Sequence, residues 1–176
     1  MHASLYDALR KRLIKKARSP RMGDPNAFET FVGQMISESE ENQLAGGMAL
    51  SVKAGAKLIA GGSVDGVMFE ATLLEKVGRD QNLYRKEAFG PVALLEAFDE
   101  FGAARAWFNA SDLGLQTGVF NDSLAHAYRA WDELEVGSVK DSGLGREGVW
   151  YAIEDMTEPR LMVIRNMQPR EAGRLP

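Results

Sequence analysis

The sequence contains no cysteine in 176 residues. That absence excludes disulfide staples, thiolate metal sites and any cysteine nucleophile supplied by these residues. Histidine is almost as scarce. His2 and His126 are the two present, and their separation gives no helical or loop ligand pair, so no metal site is expected. No uncharged run approaches the roughly 20 residues of a bilayer span, and no signal-peptide pattern follows Met1. Ser4, Ser111 and Ser142 have no histidine placed to activate them, so no hydrolytic triad is expected. What remains is a soluble globular chain, expected in the cytoplasm and without a membrane partner. Its length suits one domain, or one lobe of something larger, and it can bury a core.

Acids exceed bases, and the excess is unevenly placed. Residues 1–21 carry Arg10, Lys11, Arg12, Lys15, Lys16, Arg18 and Arg21 against Asp7 alone, ahead of an acidic body. A basic leader can mark nucleic-acid binding. Leu5, Leu9 and Leu13, however, fall at i, i+4 and i+8, with Tyr6 and Ile14 beside them. The bases then lie mostly off an apolar stripe, and no aromatic is interleaved with them for base stacking. A solvated helix face is the reading, with no nucleic-acid partner.

Helical and extended segments alternate along the chain. The periodicity predicts a helix from about Ala3 to Arg18, stopped before Pro20. Ser37 and Glu40 have capping-box spacing and open a second helix toward Ala54, weakened inside by Gly46-Gly47 and closed by Gly55. Extended segments are expected over Ala56–Ile59, Phe69–Val77, Val92–Phe98, Leu115–Phe120 and Leu161–Ile164. Helices are expected from Asp99 to Phe108, Asp122 to Leu134 and Glu147 to Met156. The fold class this implies is α/β, with a mostly parallel sheet flanked by helices. The polar stretch 166–176 reads as a flexible tail.

Few motifs carry chemistry. Gly143-Leu-Gly145-Arg-Glu-Gly148 is formally G-x-G-x-x-G, but the polar Ser138–Ser142 precedes it where a dinucleotide loop needs a buried strand. It reads as a structural turn. Asp141-Ser142 reads as a helix cap, and His126 as a helix-surface residue. Glu87-Ala88-Phe89-Gly90-Pro91 places an acid and an aromatic two residues apart, just before a buried strand, where ligands often bind. A carboxylate can accept sugar hydroxyls and an aromatic can pack on a flat ring. On spacing alone, an exposed Glu beside a core Phe is the simpler reading.

An ordered series of short motifs changes that balance. It runs through Gly23-Asp24-Pro25, Val32-Gly33 with Met35-Ile36-Ser37, Ala54-Gly55-Ala56-Lys57 and Glu87-Ala88-Phe89-Gly90-Pro91. It continues through Asn109 with Gly114-Leu115, Gly118-Val119-Phe120, and Lys140-Asp141-Ser142-Gly143-Leu144-Gly145-Arg146-Glu147-Gly148. In this order the series resembles the carboxy-terminal, catalytic-domain portion of the NAD(P)-dependent aldehyde dehydrogenases. The resemblance implies a partial catalytic domain over 1–165, with an oligomerisation strand near 160–165. It implies that Glu87 holds the nicotinamide ribose hydroxyls of NAD or NADP and that Phe89 packs near the nicotinamide ring. It also implies that the glycine-rich run at Gly143 is not the cofactor loop.

Two departures from the family pattern bear on activity. By the resemblance, the catalytic cysteine, the general-base glutamate, the oxyanion-binding asparagine and the cofactor domain would all precede Met1. Glu135-Val136-Gly137 also runs almost directly into Ser138-Val139-Lys140, where the family has a buried strand and a substrate-tunnel loop. Losing that strand would leave sheet edges unpaired. The family's oxidation needs a thiolate, and no residue here supplies one. The expectation is a truncated or split aldehyde dehydrogenase, inactive alone and with no catalytic residue of its own. It would act as a homo-oligomer, or with an aldehyde dehydrogenase subunit or a missing amino-terminal half. The alternative is a non-catalytic oligomerisation module that associates through the edge strand Leu161–Ile164.

Overall fold

The computed structural model describes residues 1–136, 139–143 and Met162. The chain divides into two compact units, Met1–Glu100 and Phe101–Pro176. The expected helix Glu147–Met156, strand Leu161–Ile164, tail 166–176 and the Gly137-Ser138 junction lie outside the described residues. No helix among the described residues is long and apolar enough to cross a membrane.

The first unit opens with helix α1 (Ala3–Ala17), followed after a turn-rich loop by α2 (Glu38–Lys53). Ser37 caps α2 as the sequence predicts, its hydroxyl accepting the Glu40 N–H at 3.2 Å. Strand β1 (Lys57–Ala60), the short hairpin β2 (Val64–Asp65) and β3 (Met68–Phe69), and β4 (Thr72–Glu75) follow. The one-turn helix α3 (Asn82–Arg85) and strand β5 (Val92–Leu95) complete the unit. The sheet order is β1–β4–β5. β4 and β5 are parallel, joined through α3, while β1 and β4 are antiparallel because the hairpin between them only reverses the chain. Gly61 makes that reversal at φ +71°, where a Cβ would stand 2.2 Å from the Ala71 carbonyl oxygen.

Strand alternation splits the core into two layers. Leu74 is fully buried on the α2 side, with Met35, Leu44, Ala56, Phe69 and Leu83. Leu73 faces the other way with Ala60 and Leu95, and Met1, Tyr6, Ile14 and Ala17 pack on them. This corrects the expected face of α1. Leu5, Leu9 and Leu13 are exposed, and Tyr6, Ile14 and Ala17 meet the sheet. The helix is held in that rotation by polar anchors: Tyr6 Oη donates to Glu75 Oε1 at 2.8 Å, and Arg10 Nε donates to the same oxygen.

The second unit contains α4 (Phe101–Asn109), β6 (Leu113–Gly114), α5 (Leu124–Glu133) and β7 (Val139–Lys140), with β6 antiparallel to β7. The strand expected over Leu115–Phe120 is not formed. The chain leaves β6 at Gly114, residues 116–120 have no regular structure, and Leu115, Val119 and Phe120 are exposed. Apolar residues with strand propensity form a strand only beside a partner. Here β7 pairs with Leu113 and Gly114 alone among the described residues.

Candidate functional site

Glu87 and Phe89, expected from the sequence as cofactor contacts, line one groove. Ala88 between them packs against the core cluster of Leu44 and Leu83, so its neighbours turn outward. Phe89 is 63% exposed, which sets aside the core-Phe reading. Gly90 then drops the chain against α2, where a Cβ would stand 2.4 Å from Leu44 Cδ2. A larger residue there would have to displace the ends of the Leu44 and Met35 side chains, so glycine suits the close approach.

Both side chains line an open groove of about 430 Å³. Its other wall is α2, through Glu40, Gln43, Gly47 and Leu50 at helical spacing, with Gly46 beside them. Asn82 and Lys86 close one side. A Cβ placed on Gly46 or Gly47 meets nothing within 4 Å. The glycine pair is therefore not demanded by packing, and it keeps that wall low. The groove thus offers the carboxylates Glu40 and Glu87, the amides Gln43 and Asn82, the Lys86 ammonium and the exposed Phe89 ring. Carboxylates and amides can accept ligand hydroxyls, and the ring can cover a flat heterocycle. Such a set can bind a ligand that carries hydroxyls and a flat ring. Sequence reasoning named Glu87 and Phe89 but missed the α2 wall, for which the mid-helix Gly46-Gly47 pair was the available signal.

The motif residues Asn109, Lys140 and Ser142 hold the second unit together. Lys140 Nζ donates to the carbonyls of Asn109 at 2.6 Å and Ser111 at 2.9 Å, and pairs with Glu135 at 2.7 Å. A cation on the carboxy-terminal carbonyls of α4 is electrostatically favourable. Asn109 Nδ2 donates to the Glu133 carbonyl at 2.7 Å, and its Oδ1 accepts the Glu135 N–H at 3.1 Å. Ser142 Oγ accepts the Gly114 N–H at 2.7 Å, tying the loop to β6. The helix that Asp141-Ser142 was expected to cap lies outside the described residues. His126 is half-buried in the first turn of α5, with its ring stacked on Phe101 at 4.7 Å. Among the described residues no cluster of His, Asp and Glu could hold a metal ion.

Comparison with known proteins gives one answer. The aldehyde dehydrogenase family profile matches residues 1–162. A 3-sulfolactaldehyde dehydrogenase of Priestia aryabhattai is 34% identical over 93% of this chain and 38% of its own length. The crystal structure of aldehyde dehydrogenase 21 from Physcomitrella patens, in complex with the reaction product succinate, superposes with a TM-score of 0.83. It is 34% identical over 96% of this chain and 39% of its own. The structure of an NAD-dependent aldehyde dehydrogenase from Sinorhizobium meliloti gives a TM-score of 0.81 at 28% identity, over 88% of this chain and 35% of its own. The chain therefore spans well under half the length of the relatives it matches. Over that span, this chain belongs to the aldehyde dehydrogenase family.

Proposed function

We propose that this chain supplies the nicotinamide-ribose subsite of an aldehyde-oxidising centre whose thiolate lies outside these 176 residues. The observation that carries the reading is the shared groove. Glu87 and Phe89, five-residue motif neighbours in sequence, line one open cleft against α2 in a chain of this family. The overall conversion takes an aldehyde, water and NAD(P)+ to a carboxylate, NAD(P)H and protons. When bound, the cofactor supplies the hydride acceptor.

This chain's residues bind and orient. The Glu87 carboxylate accepts hydrogen bonds from the ribose hydroxyls, a charge-assisted contact that fixes the sugar. Phe89 would hold the nicotinamide, its exposed ring offering a flat apolar face that excludes water. The low wall at Gly46-Gly47 would leave room for the ribose, and Gln43 on the same wall would offer it an amide. The attacking thiolate comes from elsewhere, since the chain holds no cysteine. Names of relatives support the class of reaction: a 3-sulfolactaldehyde dehydrogenase and an NAD-dependent aldehyde dehydrogenase are among them.

The test is reconstitution. The purified chain is assayed for NAD(P)H formation from a panel of aldehydes, alone and mixed with a cysteine-bearing amino-terminal portion of an aldehyde dehydrogenase. No turnover alone and turnover in the mixture is expected. Turnover by the chain alone, or a mixture no faster than the added portion by itself, defeats the proposal.

A further inference from the structure

Helix α3 carries one rim of the groove on very little chain. It is a single turn of four residues, and its cap residue Gln81 makes no side-chain hydrogen bond. A helix that short does not hold itself in water, so tertiary contacts place it. Leu83 and Ala88 pack in the core cluster with Leu44 and Leu74, while Asn82, Lys86, Glu87 and Phe89 turn to the groove. The Lys86 N–H donates to the Asn82 carbonyl at 2.9 Å, so the turn runs on to Lys86 and Glu87 starts from its end. Apolar contacts are non-directional. They hold α3 down on the core but leave its roll about Leu83 unset, and that roll decides how the rim meets a ligand.

A polar contact supplies the missing direction. Tyr84 Oη donates to Glu96 Oε2 at 3.2 Å, and Glu96 Oε1 accepts from Arg79 Nη2 at 2.6 Å. Arg79 lies in the turn before α3, and Glu96 follows directly on β5. One carboxylate therefore ties the entry to α3, and the helix itself, to the end of the sheet strand. Burial first, and the Glu96 charge next, raise the Tyr84 pKa above its usual 10.0, so the hydroxyl stays protonated and donating. The Arg79–Glu96 pair is half-exposed and adds little as an ion pair, but it holds the carboxylate turned toward Tyr84. Arg79, Tyr84 and Glu96 do not line the groove themselves.

We infer that Tyr84 and Glu96 are positioning residues for the groove: their hydrogen bond sets the roll of α3, and with it the direction in which Glu87 meets the hydroxyls of a ligand. The ligand part rests on the proposed function; the anchoring of α3 does not.

Two measurements on the full chain test it. Tyr84→Phe removes the hydroxyl and keeps the ring. Glu96→Ala removes the acceptor, whereas Glu96→Gln keeps one for Tyr84 and serves as the conservative rescue. The first measurement needs no ligand. It is hydrogen exchange at the Arg85 and Lys86 amides, which donate to the Gln81 and Asn82 carbonyls at 3.1 and 2.9 Å. Exchange there should quicken about fivefold in Tyr84→Phe and Glu96→Ala, and much less in Glu96→Gln. It should stay unchanged at the Ala54 amide that closes α2. The second measurement is nicotinamide riboside affinity by NMR titration. Tyr84→Phe should weaken binding about fivefold, and should weaken it no further in a Glu87→Ala background, because it acts through Glu87. A merely structural loss would lower affinity equally in both backgrounds. Unchanged exchange in Tyr84→Phe, unchanged affinity in Tyr84→Phe, or an equal loss with and without Glu87 overturns the inference. A parent chain that binds no nicotinamide riboside defeats the proposed function instead, and the exchange measurement then decides whether Tyr84 and Glu96 set α3.

Discussion

Glu75 closes β4 with two donors on one carboxylate oxygen, Tyr6 Oη at 2.8 Å and Arg10 Nε. Burial alone raises its pKa; the Arg10 and Tyr6 hydrogen bonds and the charge of Arg10 outweigh that, and the carboxyl ends below its usual 4.5. Tyr6 moves the other way, up to about 12, through burial first and its bond to Glu75 second, so it stays protonated and donating. The sign of the pH dependence follows from the lowered carboxyl. Glu75's share of stability is fully present above 4.5 and is lost as pH falls through the lower folded value. Tyr6→Phe should cost about 1 kcal/mol and Glu75→Gln about 1–3 kcal/mol in denaturant unfolding at neutral pH. The Glu75→Gln penalty should shrink as the buffer is taken below pH 4.5. A pH-independent penalty would show that the contact owes nothing to the ionised carboxylate. None of this was legible in sequence, where Tyr6 and Arg10 are members of a helix pattern and Glu75 lies 65 residues beyond Arg10.

At the scale of elements, local signals were reliable and facing was not. Helix α2 begins where Ser37 and Glu40 said it would, because a cap is a contact between residues three apart. Helix α1 also has its expected bounds within a residue, yet the leucine stripe is not its buried face. Its apolar residues form adjoining stripes, and periodicity does not say which of them meets a sheet. The groove shows the same limit. Glu87 and Phe89 were visible as a spaced pair, whereas Glu40 and Gln43 became neighbours of that pair only through packing of α2. Gly46-Gly47 tests whether the α2 wall is functional. Alanine at both meets no atom within 4 Å, so the helix should gain about 1 kcal/mol per site and melt higher. The same methyl groups raise the groove wall, and nicotinamide nucleotide affinity should fall. A variant that melts higher and binds unchanged would place the ligand off this wall.

The whole molecule explains which strands the sequence could announce. β4 is buried at every residue between two layers, and its apolar run was read correctly as extended. Leu115–Phe120 stays irregular and exposed, with no strand beside it among the described residues, and strand propensity is realised only beside a partner. The α/β class and the family were thus readable from patterns and motifs, while strand pairing depended on which neighbours the chain contains. The reading of this chain as the nicotinamide-ribose part of a larger centre is tested most directly by saturation-transfer NMR of NAD+ with the purified protein. Transfer should be strongest at the nicotinamide and its ribose, weak at the adenine, and reduced about tenfold or more by Glu87→Ala, the loss of one charge-assisted contact. Equal transfer to both ends of the molecule, or transfer that Glu87→Ala leaves unchanged, would contradict it.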